Sequence, residues 1–300
     1  MTMRRSAMLG RTVACALVLC SVGCHRRSDL RRSVPAPHYV VGPAWQGAGG
    51  AWFYPKEDLD YHATGLATIA VAPPGGLTTD GESFDPEAMA AAHQTLQMPC
   101  VVRVRNLENG RAILVRVNDR GPAEQGRLIG LTARAAALLG MRGTVPARVE
   151  VTLDRARSLA ASDAIGGGPR LDVAAAPVEG VQEQSLDGPE PQAAPAAAAP
   201  AVGFGVASAG NATAAGGLPE VVQQDVAEPG ALWIDAGQFG QRGYADRIAA
   251  AIGGRVRSEG QGRQLVYLVR GGPFQRTADA DAALDQARRA GVTGARIIVE

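Results

Sequence analysis

The sequence predicts two folded units, a compact β-barrel over residues 60–154 and an open α+β sheet over residues 229–300, joined by a disordered linker. Runs rich in β-branched residues flank Asn109 and Gly110, a dipeptide typical of two-residue hairpin turns. Residues 155–228 are rich in Ala, Pro, Gly, Gln and acidic residues, a composition that cannot bury a core. The linker is therefore expected to separate two independent domains.

The first unit reads as short strands with glycine-rich turns and one small helix, a pattern typical of a small barrel. Thr132 is suited to cap a helix over residues 133–139, and Gly140 follows at the position where helices often end in a left-handed residue. The clearest predicted strands are residues 101–105, 112–117 and 148–153.

The second unit alternates between strand-like and helical periodicity. The order is β-α-β-β-α-β, which indicates an open sheet covered by two helices. No cluster of acid–base residues stands out in this unit, so it is predicted to bind rather than to catalyse. The predicted strands are residues 232–237, a short strand near Val256, 264–269 and 295–299, and the predicted helices are 244–252 and 278–290.

The N-terminus, residues 1–24, has the order of a secretory signal, with arginines ahead of a short apolar run at residues 13–20. The signal ends in Ser21, Val22, Gly23 and Cys24, which resembles the lipobox of bacterial lipoproteins. Two outcomes stay open, lipidation of Cys24 with membrane anchoring and ordinary cleavage. Residues 25–59 are predicted to form an extended arm whose aromatic side chains pack on the barrel.

The composition excludes several classes of function. A net charge of +1 gives no global basic field for nucleic acid. The four histidines are scattered without metal-ligand spacing, and no glycine-rich phosphate loop joins a strand to a helix, so neither metal nor cofactor is predicted. Cys100 is the one cysteine outside the signal region, and it is predicted to be a buried residue.

The most informative motif begins in the strand that leads to Asn118 and Asp119. Gly121 and Pro122 turn the chain away directly afterwards, which places a carboxylate at the rim of a β-structure within reach of a polymer. Glu82 and His93 lie upstream. An Asp, a Glu and a His that converge on one groove would provide general acid–base catalysis.

Residues 39–153 resemble the rare lipoprotein A family of septal-ring lytic transglycosylases. The resemblance is carried by Thr79-Asp-Gly-Glu82, Ala91-Ala-His93, Asn109-Gly-Arg111 and Val115-Arg-Val-Asn-Asp-Arg-Gly-Pro122. It implies a six-stranded double-psi β-barrel. Residues 230–300 resemble a SPOR domain, a peptidoglycan-binding module of ferredoxin-like βαββαβ fold, through Gly237-Gln-Phe239 and Gly272-Pro-Phe274.

The resemblance implies that Glu82, His93 and Asp119 form the active site. The family cleaves between muramic acid and glucosamine without water and leaves an anhydro end. Asp119 is the expected acid and base, with Glu82 and His93 orienting substrate or tuning Asp119. Asn118 and Arg120 are expected to contact substrate in the barrel, and Asp235 and Leu268 in the SPOR domain. The expected partners are peptidoglycan glycan strands, a membrane reached through the lipid anchor, and division-site proteins, with the protein facing the periplasm.

Several positions depart from the family pattern. Ile69, Ala70 and Val71 stand where the family has Trp-Tyr-Gly, and Gly130 stands where it has Asp. Two alternatives therefore remain: a non-catalytic peptidoglycan-binding or scaffold lipoprotein, and a two-carboxylate hydrolase in which Glu82 activates water. In the SPOR domain the same comparison finds Asp235 in place of Gln and Leu268 in place of Arg.

Overall fold

A computed structural model describes residues 36–72, 76–168 and 217–300. The predicted signal at residues 1–24 with Cys24, the first part of the predicted arm, and residues 169–216 of the predicted linker lie outside the described residues. Within the described part of the chain, no helix is both long enough and apolar enough to cross a membrane.

The described part of the arm contains a small hairpin of β1 (Trp45–Gln46) and β2 (Trp52–Phe53). The Trp45 and Phe53 rings pack together with their centroids 4.8 Å apart. Ala48 N–H donates to the carbonyl of Ala123 at 2.8 Å, and the Trp45 indole N–H donates to the carbonyl of Gln94 at 3.0 Å. The hairpin is therefore tied to the barrel through its backbone and through Trp45, while Trp52 and Tyr54 are exposed.

Six strands close the barrel. The strand order is β4-β7-β3-β8-β5-β6, and pairing of β6 with β4 completes the ring. The β3–β7 and β4–β6 pairs are parallel and the others antiparallel. The predicted double-psi β-barrel is therefore confirmed. The strands are β3 (His62–Ile69), β4 (Ala90–His93), β5 (Cys100–Asn106), β6 (Arg111–Arg120), β7 (Ile129–Leu131) and β8 (Ala147–Leu153).

The barrel core consists mainly of valine, leucine, isoleucine and alanine side chains from all six strands, with Cys100 fully buried among them. The Asn109-Gly110 turn joins β5 to β6 as predicted. Helix α1 (Ala133–Leu138) begins after Thr132, whose hydroxyl accepts a hydrogen bond from Ala135 N–H. Sequence periodicity did not reveal β4, because its Ala-Ala-Ala-His run is buried at every position and shows no alternation.

The chain departs from the predicted linker at both of its ends. Residues 155–163 form helix α2 (Arg155–Asp163), capped by Asp154, and Ser158 exchanges hydrogen bonds with the backbone of Val101. At the other end, β9 (Gln223–Gln224) pairs with β6. Ion pairs join Arg103 to Asp225 and Arg134 to Glu220. These contacts hold both ends of the predicted linker on the barrel. Composition alone does not reveal them, because it carries no information on which residues meet in the fold.

The C-terminal domain has the predicted βαββαβ order, with all strand pairs antiparallel and the sheet order β11-β12-β10-β13. One apolar cluster contains residues of both helices and of the sheet face beneath them, so both helices cover the same face. The elements are β10 (Leu232–Phe239), α3 (Arg242–Ala251), β11 (Gly254–Glu259), β12 (Val266–Phe274), α4 (Thr277–Arg289) and β13 (Arg296–Val299).

The C-terminal domain packs against the barrel, contrary to the expectation of two independent units. Leu66 and Leu107 of the barrel are buried within the apolar cluster of the C-terminal domain. Arg127 forms two hydrogen bonds to the carboxylate of Asp281, at 2.8 and 3.0 Å. The Thr64 hydroxyl donates to the carbonyl of Val299 at 2.8 Å.

Gly126 makes this close approach possible. Its φ is +70°, and a β-carbon at this position would lie 2.8 Å from Ile297 Cδ1 and 3.0 Å from Leu284 Cδ2. A larger residue would be strained by the left-handed backbone and would require the ends of the Ile297 and Leu284 side chains to shift. The sequence composition does not reveal this close contact.

Candidate functional site

The candidate site lies where β4 and β6 run parallel. Ala92 is paired with Asp119 and His93 with Arg120, after a bulge between Ala91 and Ala92. Bulges redirect side chains and are common next to active sites. This pairing places the predicted Asp119 at the end of a rigid strand, as the sequence motif indicated.

Residues 78–82, here called the 78–82 turn, pack across the end of β6. Thr78 N–H donates to the carbonyl of Glu82 and Gly81 N–H to the carbonyl of Thr78, which closes the turn. Thr79 donates to Asp119 Oδ1 through its backbone N–H at 3.0 Å and its hydroxyl at 2.7 Å. The turn therefore fixes the orientation of Asp119.

The two carboxylate oxygens of Asp119 have different surroundings. Oδ1 accepts the two hydrogen bonds from Thr79 and a third from Arg120 N–H at 2.8 Å. Oδ2 has no hydrogen-bond partner among the residues that the structure describes, and the side chain is partly exposed. Since Oδ1 is fully occupied, Oδ2 is the oxygen that can give a proton to a ligand or take one from it.

Glu82 lies beside this strand end and is held by two neighbours on β6. Its Oε1 is 2.6 Å from an Nη atom of Arg116, and its Oε2 accepts a hydrogen bond from the Asn118 side-chain amide at 2.7 Å. Asn118 was predicted to contact substrate, but its side chain is nearly buried and donates to Glu82. Asn118 and Arg116 therefore orient the Glu82 carboxylate.

Asp80, which no sequence motif indicated as a site residue, lies in the 78–82 turn. It is fully buried, and its Oδ1 accepts hydrogen bonds from the Thr78 hydroxyl at 2.8 Å and from Glu82 N–H at 3.2 Å. Burial raises the pKa of Asp80 to about 6, with a further contribution from the nearby charge of Glu82. No pattern in the sequence distinguishes Asp80 from a solvated turn residue.

His93 is buried and does not reach the other two predicted catalytic residues. Its Nδ1 accepts hydrogen bonds from Thr95 N–H and Leu96 N–H, both at 3.2 Å, which places its proton on Nε2, 3.0 Å from the Tyr61 hydroxyl. Burial and the neighbouring Arg120 charge lower the pKa of His93 to about 3, so the ring is neutral at physiological pH. In the described residues no hydrogen bond joins Glu82, His93 and Asp119 to one another.

Arg120 was predicted to contact substrate, but its guanidinium is hydrogen-bonded to backbone carbonyls of the protein. Its guanidinium donates to the backbone carbonyls of Leu96 at 2.8 Å, Val41 at 2.7 Å and His93 at 3.2 Å. Burial lowers its pKa, and no carboxylate is paired with it in the described part of the chain. Arg120 therefore fastens the arm and the chain after His93 to the end of β6.

A row of small residues crosses the barrel wall beside Asp119. Ala92 is paired with Asp119 on one side and with Gly130 on the other, and Gly130 is paired with Thr68. A β-carbon at Gly130 would lie 3.5 Å from Ala70 Cβ and 3.8 Å from Ala92 Cβ. The residues next to Asp119 in this row are therefore small, and none of those named here carries a second carboxylate.

The arm contributes exposed aromatic side chains near this region. Trp52 is 52% exposed and Tyr54 is 68% exposed, while Phe53 between them packs on Trp45. The hairpin is tied to the segment after Asp119 by the bond from Ala48 to Ala123 and by a bond from the Gln125 amide to Ala48. Exposed aromatic rings of this kind can pack against the apolar face of a ligand.

Comparisons with known proteins agree with this geometry. A family model described as lytic transglycolase matches residues 51–151, and a SPOR domain model matches residues 228–297. A protein of Pseudomonas aeruginosa named endolytic peptidoglycan transglycosylase RlpA is 31% identical over 274 residues, which is 87% of this chain and 78% of that protein. This chain belongs to the RlpA family.

Other RlpA proteins match over shorter stretches. A probable endolytic peptidoglycan transglycosylase RlpA of Nostoc sp. is 52% identical over 79 residues, 26% of this chain and 21% of that protein. The Escherichia coli endolytic peptidoglycan transglycosylase RlpA is 40% identical over 107 residues, 35% of this chain and 30% of that protein. In these two comparisons the chain matches less than a third of the relative's length.

In this RlpA-family chain, the SPOR sheet places Asp235 on the face opposite the helices, since its neighbours Ile234 and Ala236 are buried beneath them. Asp235 is directly paired with Arg270 and Arg296, and its Oδ2 lies 2.9 Å from an Nη atom of Arg296. Leu268 is half-buried opposite Arg257 on the neighbouring strand. The Asp235 carboxylate is thus already bound within the sheet.

Proposed function

We propose that this chain is an exported endolytic peptidoglycan lytic transglycosylase that remodels the cell wall at division. It cleaves the bond between N-acetylmuramic acid and N-acetylglucosamine and leaves a 1,6-anhydro end. The observation that carries the proposal is the Asp119 carboxylate, with Oδ1 held by three donors and Oδ2 open at the end of a strand. Membership of the RlpA family supports the same chemistry.

The geometry allows one group to serve both proton transfers. Protonated Asp119 gives its proton from Oδ2 to the glycosidic oxygen as the bond from that oxygen to muramic acid C1 breaks. The sugar's own O6 then attacks C1, and its proton returns to Asp119 Oδ2, so no water is consumed and the acid is regenerated. Glu82, oriented by Asn118 and Arg116, stabilises the positive charge that develops on the sugar ring.

His93 has a supporting role in this proposal. Its buried, neutral ring bonds to Tyr61, and its backbone carbonyl accepts hydrogen bonds from Arg120 at 3.2 Å and from Gly121 N–H at 3.4 Å. These bonds hold the chain on both sides of the point where it leaves β6. In this proposal His93 and Arg120 therefore stabilise the strand end that carries Asp119, and they do not contact the glycan.

We propose that the SPOR domain and a lipid anchor at Cys24 direct the enzyme to peptidoglycan. The SPOR face opposite the helices carries Arg255, Arg270 and Arg296 in one cross-strand row with Asp235, which suits the hydroxyl and carboxylate groups of cell-wall strands. Lipidation at Cys24 would anchor the protein in a membrane with both domains in the periplasm. Division-site proteins are the expected partners.

A second candidate function is binding of peptidoglycan without cleavage. The observation that favours it is Gly130, which leaves the row beside Asp119 without a second acid. Purified protein incubated with sacculi distinguishes the candidates by the mass of the released products. Anhydro-muropeptides are expected from a lytic transglycosylase, products with reducing ends would indicate a hydrolase, and sedimentation with intact sacculi without release would indicate a binding protein.

A further inference from the structure

Asp80 is a buried carboxyl group that the proposed reaction does not use directly. It is fully buried in the 78–82 turn, and its Oδ2 has no hydrogen-bond partner among the described residues. Its Oδ1 accepts a hydrogen bond from the backbone N–H of Glu82, so the Asp80 carboxyl group directly contacts the Glu82 backbone. A buried oxygen without a partner costs free energy, and less if the group is neutral.

Arg116 connects Asp80 to Glu82 a second time. One Nη atom of Arg116 lies 2.6 Å from Glu82 Oε1 and 4.0 Å from Asp80 Oδ2. The Nε atom of Arg116 is also buried without a hydrogen-bond partner in the described part of the chain. Two carboxyl groups therefore face one guanidinium, and the guanidinium has an unused donor.

We propose that Asp80 is a positioning residue that acts on Glu82 through Arg116: while Asp80 is neutral, Arg116 stays on Glu82, and when Asp80 ionises, Arg116 is drawn towards it and Glu82 loses one of the two contacts that orient it. This inference rests on the proposed use of Glu82 in glycan cleavage. No further cofactor or reactant is required, since only a proton leaves Asp80.

The electrostatics of the turn support this assignment. Burial is the largest cause of the raised pKa of Asp80, about 6, and the charge of Glu82 raises it further. The hydrogen bonds from Thr78 and Glu82 and the charge of Arg116 act in the opposite direction. Asp80 is therefore mostly neutral below pH 6 and mostly ionised above it.

The other charged or titratable groups around Asp80 come from two elements packed on the turn. From β6 these are Asp119, which accepts a hydrogen bond from Thr79 N–H, and Arg120, whose backbone N–H donates to the Thr79 hydroxyl. From the arm it is His38, whose backbone N–H donates to the carbonyl of Asp80 at 2.9 Å and whose ring lies beside Gly81. His38 is exposed and is the group from which an Asp80 effect must be separated.

Nuclear magnetic resonance of the full chain tests the coupling without reference to activity. The side-chain N–H signal of Arg116 and the carboxyl carbon of Glu82 should both shift with a midpoint near the pKa of Asp80, and the shift should vanish in Asp80→Asn. His38→Gln is the matched control and should leave the shift in place. The inference is overturned if these signals stay constant from pH 5 to 7.5, or titrate equally in Asp80→Asn.

The activity profile gives the second readout. If cleavage follows the neutral fraction of Asp80, kcat/KM of the wild type should fall about tenfold more between pH 5 and pH 7 than kcat/KM of Asp80→Asn, in which the other acid–base groups set the profile. Asp80→Ser, which also cannot ionise, guards against a folding defect specific to Asn. A fall as large in both variants as in the wild type overturns the inference. No cleavage at any pH, with the resonance shift intact, overturns the proposed function and leaves the Asp80–Arg116 coupling supported.

Discussion

Asp119 and Gly130 lie on one row of the barrel wall, each paired with Ala92 between them. A glycine at this point leaves Asp119 as the one carboxylate of the row. The family resemblance places Asp at position 130, so the proposed function can be tested by restoring an acid there.

Gly130→Asp should increase glycan cleavage. A β-carbon at Gly130 meets Ala70 and Ala92 at 3.5 and 3.8 Å, which is ordinary contact, so a β-carbon fits at this position without strain. A well-placed acid–base group is worth about 10²–10⁴-fold, and a gain of at least tenfold in anhydro-muropeptide release is expected. Gly130→Asn is the control of equal size. Equal rates for both variants would show that an acid at this position takes no part.

Asp119→Asn should abolish anhydro-muropeptide release while the protein stays folded. The amide keeps an oxygen for the bonds from Thr79 and Arg120 but cannot carry the proton, so a loss of about 10²–10⁴-fold is expected. Asp85→Asn, at an exposed acid of the neighbouring loop, should leave the rate unchanged. A purified Asp119→Asn protein that cuts at the wild-type rate would remove Asp119 from the mechanism.

Stability should fall in acid because of His93. Its pKa is lowered from 6.5 to about 3 in the folded protein, so its contribution is complete above pH 6.5 and is lost as pH falls towards 3. The free energy of unfolding should fall by at least about 1 kcal/mol over this range, which lowers the melting temperature by roughly 2–4 °C. Melting curves from pH 7 to pH 4 should show a smaller drop in His93→Gln than in the wild type. Parallel curves would indicate that other groups dominate.

The interface between the barrel and the SPOR domain should hold after the chain between them is cut. A specific protease site inserted at residue 195 and then cleaved should yield fragments that elute together in gel filtration, because Leu66, Leu107 and the Arg127–Asp281 pair remain in contact. Arg127→Glu should weaken the association of the fragments, to which β9 and the Arg103–Asp225 pair also contribute. Arg276→Glu, which affects an exposed ion pair at the N-terminus of α4, is the control. Separate elution of the wild-type fragments would restore the expectation of two independent domains.

The SPOR face should bind glycan more tightly in the double variant Asp235→Gln with Leu268→Arg. Removing the Asp235 carboxylate frees Arg296, and the new arginine adds a donor beside Arg257. Each additional hydrogen bond is worth about 0.5–1.5 kcal/mol, so binding should tighten about tenfold. Pull-down on glycan strands without stem peptides measures this effect. Asp279→Asn on α4 is the control, and unchanged binding by the double variant would place the glycan site elsewhere.

Sequence patterns located most of the regular elements because local rules agree with the fold in those regions. Strands β5, β6 and β8, the turn at Asn109, and the capped helix after Thr132 were all predicted. Strand β4 and helix α2 were not, because β4 is buried at every position, and α2 lies in a region of linker-like composition, where Ser158 bonds to the backbone of β5.

The candidate site was predictable only in part. A motif at the end of β6 indicated Asp119, and the upstream segment 79–82 indicated Glu82. The β6 motif also led to predicted substrate contacts for Asn118 and Arg120, whose donors are used by Glu82 and by backbone carbonyls. The environment of Asp80 depends on burial and on the charge of Glu82, and neither can be read from neighbouring letters.

The sequence by itself determined the two domain types, the family and the strand that presents Asp119, because these depend on local propensity and on short motifs. The tertiary structure alone decided that His93 is buried and neutral, that Asp80 shares Arg116 with Glu82, and that the SPOR domain packs on the barrel. Desolvation, charge pairing and close packing at Gly126 arise between residues far apart in the chain, so they exist only once the fold has brought those residues together.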